Sequence, residues 1–216
     1  MSSIRVGCTG RPNVDWCEDN KESVIRSNVI GTLNITDCCY LKGNHCTVFA
    51  TGCIYRYHKA HPWDGPGFVE TDAANFSGSF YSKTKAHLHD RNFVTKITRY
   101  PRVVNIPNSN TMLTDLLPPA ILLTEHDEVG IYNFTNPGSI SHNEVLTLFR
   151  DIVRPSLMRQ NFSLEEQAKV IKAGRSNCKL DTTKLTTKLK EYNYEVPNVR
   201  EAYMQCFERM KAAGIQ

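Results

Sequence analysis

The spacing of apolar and polar residues changes several times along the chain, and each change predicts an element. Residues 4–10 are mainly apolar and run into glycine, which reads as a short strand ending in a glycine loop. Over residues 22–41, Val24, Ile25, Val29, Leu33 and Ile35 recur at helical spacing and predict a helix with that apolar side. Residues 45–50 form a compact apolar run, the pattern of a buried strand in a parallel sheet. Residues 57–76 are rich in Pro, Gly, Asp and Asn and predict a loop lining a site. Helices are predicted over 79–91 and 113–124, the second broken or bent at Pro118 and Pro119. Residues 130–134 read as a strand, followed by a turn at Thr135-Asn136-Pro137-Gly138. Residues 141–153 form a well-marked helix with Ser141 and Glu144 as a capping box. Residues 163–173 open the same way, with Ser163 and Glu166, and 198–211 predict a terminal helix. Strands alternating with helices indicate an α/β fold on a parallel sheet.

Composition narrows the class. A chain of 216 residues, 40% hydrophobic and 22% charged, can bury a real core as one soluble domain with an appendage. The boundary is read near residue 105, giving regions 1–105 and 106–216. The net charge of +4 is scattered, so no nucleic-acid partner is expected. The longest apolar runs are too short to span a bilayer, and Met1-Ser2-Ser3-Ile4-Arg5-Val6 has no signal-peptide core. A cytoplasmic protein with no membrane partner is the expectation. The eight cysteines contain no CxxC pair and no zinc spacing, so free thiols and no metal are expected. Trp16 and Trp63 read as packing residues.

The candidate chemistry centres on Tyr81-Ser82-Lys83-Thr84-Lys85. Tyr81 and Lys85 lie one helical turn apart on one face. An ammonium there favours the phenolate and would lower the tyrosine pKa toward neutrality. Such a tyrosine gives a proton to a carbonyl as a hydride arrives, or takes one from an alcohol. A threonine from a separate strand end, here Thr51, would hydrogen-bond the same oxygen. His87 and His89 fit a solvated face of the same helix.

The runs Gly10-Arg11-Pro12-Asn13-Val14-Asp15-Trp16-Cys17-Glu18, Asn28-Val29-Ile30-Gly31-Thr32, Ala50-Thr51-Gly52-Cys53-Ile54-Tyr55, Asn75–Lys85 and Gly130–Gly138 together resemble one family. It is the bifunctional nucleotide-rhamnose synthase, or epimerase-reductase, of plants and algae. The dTDP-4-dehydrorhamnose reductases are more distantly similar. The resemblance implies a Rossmann-type fold of the extended short-chain dehydrogenase/reductase class, with a smaller C-terminal substrate region. It implies a nucleotide-sugar substrate, UDP- or dTDP-4-keto-6-deoxyglucose, epimerised at C3 and C5 and reduced at C4 with NADPH, or alternatively NADH. Carried over residue by residue, Thr51, Tyr81 and Lys85 match the reductase triad, with Tyr81 and Lys85 also touching the cofactor. Asn28 matches a helix asparagine that supports the lysine through water. Cys53 and Lys96 match the pair that moves the C3 and C5 protons, one as base and one as acid. Arg175 and Asn177 are candidates for the substrate, since arginine suits phosphate geometry. A homodimer follows from family analogy alone.

The departures set a second group of expectations. The family's glycine-rich dinucleotide loop falls ahead of the first residue, and Gly7-Cys8-Thr9-Gly10 resembles it only superficially, which leaves Gly10 as the candidate cofactor contact. A further segment, including a sheet strand, is read as missing between Asp90 and Arg91. Gly174 stands where the family has proline. The expected sheet is therefore truncated, with its chemistry kept and its cofactor cradle incomplete. Two other functions fit those gaps: a non-catalytic binding protein like the regulatory subunit of methionine adenosyltransferase, and an incomplete gene product.

Overall fold

The structure, a computed structural model, describes residues 5–7, 13–84, 102–158, 160–161, 163, 165–166, 169 and 174–215. Strand β1 (Arg5–Gly7) runs parallel to β2 (Cys46–Val48), with Arg5 opposite Cys46 and Gly7 opposite Val48. Parallel strands need a crossover. Here it contains α1 (Val14–Asp19), α2 (Lys21–Val24), a π-helical turn (Ile25–Ile30) and α3 (Gly31–Leu41). Both strands end at the same edge, and the carboxyl edge is where α/β sheets bind ligands. The predicted strand at 45–50 is present and parallel, but it is half-buried, with Val48 exposed.

The helix read over 22–41 is present, yet its buried face is not the predicted one. Val24, Asn28 and Cys39 are buried, while Ile25, Ile30 and Leu33 are exposed. A π turn fits an extra residue into one turn and rotates every later side chain relative to an α-helical wheel. Helix α1 was not anticipated: Asn13 caps it, its side chain accepting the Trp16 N–H at 3.1 Å, and Cys17 is its buried residue.

Helix α4 (Phe80–Thr84) carries Tyr81, and a short strand β3 (Arg102–Val103) follows. Helix α5 (Leu113–Glu125) continues through Pro118 and Pro119 instead of breaking there. The prolines remove the N–H groups that would bond the carbonyls of Thr114 and Asp115. Burial of Leu116, Pro119, Ala120, Leu123 and Thr124 holds the helix together across that gap. Residues 130–134 are not a strand, because side chains take the backbone groups a ladder would use. Glu70 accepts the Asn133 N–H at 2.8 Å, and Lys184 Nζ donates to the Ile131 carbonyl at 2.7 Å.

Helix α6 (His142–Ile152) starts at the predicted capping box: Glu144 N–H donates to Ser141 Oγ at 3.3 Å, and Ser141 N–H donates to Glu144 Oε2 at 2.9 Å. Ser163 and Glu166 form the same reciprocal pair. Strand β4 (Gln160–Asn161) lies parallel to β3, so residues 102–103 hydrogen-bond into the region after the expected boundary at 105. Helix α7 (Thr183–Glu191) was missed, since only Leu185 and Leu189 mark its apolar side; both are buried against Leu116 and Leu123. Helix α8 (Val199–Ala212) closes the chain. Phe149 of α6 meets Phe207 of α8 edge to face, ring centroids 5.3 Å apart. Among the described residues no helix is long and apolar enough to cross a membrane, and no three His, Cys, Asp or Glu side chains cluster as metal ligands.

His142 opens α6 and its Nδ1 lies 2.9 Å from the Val104 carbonyl, so Nδ1 carries the hydrogen. Burial pulls its pKa below the ordinary 6.5, the Val104 bond opposing. The unfolded chain therefore takes up this proton first. The stability His142 contributes is complete above 6.5 and is lost as pH falls through the lower folded value. The urea midpoint should drop between about pH 7.5 and about pH 5.5. His142→Asn keeps a donor toward Val104 without a titrating ring and should show a smaller drop.

Candidate active site

Residues 49–55 leave the carboxyl end of β2 and turn sharply at Gly52. The Gly52 carbonyl accepts the Tyr55 N–H at 3.2 Å and the Cys178 Sγ–H at 3.4 Å. A Cβ on Gly52 would lie 2.6 Å from Leu180 Cδ1, so any larger residue here would have to push the Leu180 side chain aside. Thr51 Oγ1 accepts the Cys53 N–H at 3.2 Å, which fixes the two residues side by side. From the opposite direction α4 delivers Tyr81, buried against Cys17 and Val24. The Thr51 hydroxyl stands near enough to the Tyr81 phenol to favour its charged form. Thr51, Cys53 and Tyr81 thus meet at one place, from segments separated in sequence.

Asn28 sits in the π turn, buried, with its Oδ1 accepting the Ser27 hydroxyl at 3.1 Å. Its Nδ2 is buried and has no partner among the described residues. Lys85, Lys96 and Gly10, with His87 and His89, lie outside the described residues.

Lys85, on which the expected lowering of the tyrosine pKa rests, lies outside the described residues. Burial is the main cause holding Tyr81 well above its ordinary value; Cys53 and Cys17 push the same way, and the Thr51 hydroxyl opposes them. The described surroundings by themselves favour the protonated phenol. Cys53 retains solvent exposure as a residue, yet desolvation raises its thiol above the ordinary 9.0. A residue that is accessible while surrounded by protein lies in a depression. The Thr51 bond and the Arg175 charge act in the opposite direction on Cys53. Burial pushes the neighbouring Cys178 thiol up to about 12, so it is inert at neutral pH.

Residues 174–180 run across the site as a strap. Gly174 N–H donates to the Gly78 carbonyl at 3.0 Å, and a Cβ on Gly174 would come within 3.1 Å of that oxygen. Arg175 Nη2 bonds Asp15 Oδ2 at 2.8 Å. Ser176 Oγ donates to the Tyr55 carbonyl. Asn177 accepts Tyr57 N–H at its carbonyl and Asn108 Nδ2 at its Oδ1, each at 3.0 Å. The contacts shown for Arg175 and Asn177 are therefore with the protein itself. Trp63, expected to pack, is exposed. Beside the site stands a stack: Tyr55 on Phe68 at 4.6 Å, and His61 on the same Phe68 at 4.2 Å. Asp15, Glu18, Asn108 and Cys178 also hold the site and were not singled out by spacing; for the first two, the run Asn13–Glu18 was the available signal.

The described residues fit the reactive end of a nicotinamide cofactor. A phenol and a hydroxyl lie close together after the carboxyl end of β2, and an unpartnered buried amide lies on the crossover between β1 and β2. Among the described residues no glycine loop cradles a pyrophosphate.

No family model matches the chain. It is 50% identical over 210 residues to a bifunctional dTDP-4-dehydrorhamnose 3,5-epimerase/dTDP-4-dehydrorhamnose reductase of Arabidopsis thaliana, covering 86% of this chain and 70% of that protein. It is 49% identical to a trifunctional UDP-glucose 4,6-dehydratase/UDP-4-keto-6-deoxy-D-glucose 3,5-epimerase/UDP-4-keto-L-rhamnose-reductase of the same plant, again over 86% of this chain but only 31% of that protein. Among solved structures, the L780 UDP-rhamnose synthase of Acanthamoeba polyphaga mimivirus superposes with a TM-score of 0.86 at 32% identity, covering 95% of this chain and 81% of that one.

Proposed function

The chain belongs to the nucleotide-rhamnose epimerase/reductase family of extended short-chain reductases, and from that premise we propose that it epimerises a nucleotide 4-keto-6-deoxyglucose at C3 and C5 and reduces it at C4 with NADPH. The observation that carries the reading is the convergence of Thr51, Cys53 and buried Tyr81 at one place, with the Cys53 N–H bonded to Thr51 Oγ1. NADPH, when bound, supplies the hydride that adds to C4. Tyr81 gives its proton to the C4 oxygen, and Thr51 hydrogen-bonds that oxygen as charge builds on it. Lys85 is the ammonium that partly offsets burial at the phenol, and Asn28 supports Lys85. Cys53 and Lys96 exchange protons at the carbons flanking the ketone, which is acidifying its neighbours while it lasts. Epimerisation therefore has to precede reduction. The same reading includes a cytoplasmic site of action and, by analogy, a homodimer.

The test is an NADPH titration followed by protein fluorescence, then turnover of UDP- and dTDP-4-keto-6-deoxyglucose with the full chain. Saturable binding and formation of a nucleotide-rhamnose product are expected. A cooperatively folded chain that binds no NADPH and moves no C3 or C5 proton would overturn the reading and leave a binding protein.

A further inference from the structure

We infer that Glu18, on α1, is a positioning residue for the reduction: it fixes the turn that carries Tyr81. This deepens the reading above and rests on it. The first amides of α4 need acceptors outside the helix. Ser79 Oγ takes the Ser82 N–H at 3.0 Å and also bonds the Ser82 hydroxyl at 2.7 Å, a local cap. The Phe80 N–H goes instead to Glu18 Oε1, at 2.6 Å and from 62 residues away. A charged acceptor at that distance makes one of the stronger hydrogen bonds a protein uses. It holds the amide immediately before Tyr81, so it sets where the phenol stands relative to Thr51.

The surroundings make α1 a platform. Cys17, the residue before Glu18, is fully buried and packs against Tyr81 and Val24. Asp15, one turn earlier, holds Arg175 of the strap at 2.8 Å. One short helix thus anchors the catalytic turn through Glu18 and the strap through Asp15. Cys53 hangs from β2 and is tied to Thr51, not to α4. Loosening Glu18 should therefore disturb Tyr81 and spare the proton exchange at C3 and C5.

The experiment compares the full chain with Glu18→Ala and Glu18→Gln in three measurements: NADPH-dependent reduction, solvent-deuterium entry at C3 and C5 without NADPH, and amide hydrogen exchange of the segment containing Phe80. Misplacing a reacting group by about an ångström costs up to roughly 10²-fold. Glu18→Ala should lower kcat for reduction by about tenfold to a hundredfold with KM little changed, keep deuterium entry, and speed exchange at Phe80. Glu18→Gln, whose amide oxygen can still accept, should recover most of the reduction. Reduction unchanged in Glu18→Ala, or reduction and deuterium entry falling together, would overturn the role. If the unaltered chain neither reduces nor exchanges, the proposed function fails by itself; Phe80 protection unchanged by Glu18→Ala would then separately sink the anchor.

Discussion

Tyr81→Phe should reduce the ketone roughly 10²–10⁴-fold more slowly, the loss expected when a positioned general acid is removed. The substitution deletes one oxygen. The ring stays buried among Cys17, Val24 and Phe80, and removing one buried hydroxyl costs the fold about 1 kcal/mol. Slow turnover in a chain that still unfolds cooperatively would therefore report on chemistry, not on folding. Deuterium entry at C3 and C5 should be little changed, because it does not need the phenol. The pH profile adds a sharper test. Burial holds the Tyr81 phenol above its ordinary 10.0, and the acid form is present below the group's pKa. Reduction should then run level through neutral pH and decline only above pH 10. A decline setting in near neutrality would mean that Lys85 outweighs burial and that the expectation from the sequence was right. A Tyr81→Phe chain reducing at the normal rate would remove Tyr81 from the mechanism.

What the sequence revealed and what it hid follow the range of the interactions involved. Ser141 and Glu144 were readable because a capping box is closed within one turn. Thr51, Cys53 and Tyr81 were readable because each sits in a run that the family shares. The buried face of the 22–41 helix was not readable, since the π turn at Ile25–Ile30 alters the period on which the reading depends. Asn28 is buried by that turn, and no hydropathy pattern places a polar residue on the inner face. Residues 130–134 have the composition of a strand, but Glu70 and Lys184 take their backbone groups. Helix α7 shows only two leucines among threonines and lysines. The Glu18 bond to Phe80 and the Arg175 bond to Asp15 span 62 and 160 residues, and no local pattern announces either one.

Cys53→Ser should all but stop solvent-deuterium entry at C3 and C5, by roughly 10²–10⁴-fold, because a serine hydroxyl is far too weakly acidic to supply the base. The swap preserves size, and the backbone N–H of residue 53 still has Thr51 Oγ1 to bond, so the site's shape should survive. The direction of the Cys53 shift makes the wild-type pH profile informative. Its thiol lies above the ordinary 9.0 because desolvation outweighs both the Thr51 bond and the Arg175 charge. At neutral pH only a small fraction is thiolate. If Cys53 is the base, exchange should rise about tenfold per pH unit from neutral and still be rising at pH 9. If Lys96 is the base and Cys53 returns the proton, exchange should instead flatten and then fall as the thiol ionises. Both profiles keep Cys53 in the epimerisation pair and assign its half of the work. Exchange that persists in Cys53→Ser with an unchanged profile would take it out of the pair, leaving Cys53 as a small residue packed at the turn after β2. A substrate carrying deuterium at C3 or C5 alone, followed separately, would then say which carbon each partner serves, since the two faces of the sugar need acid and base on opposite sides.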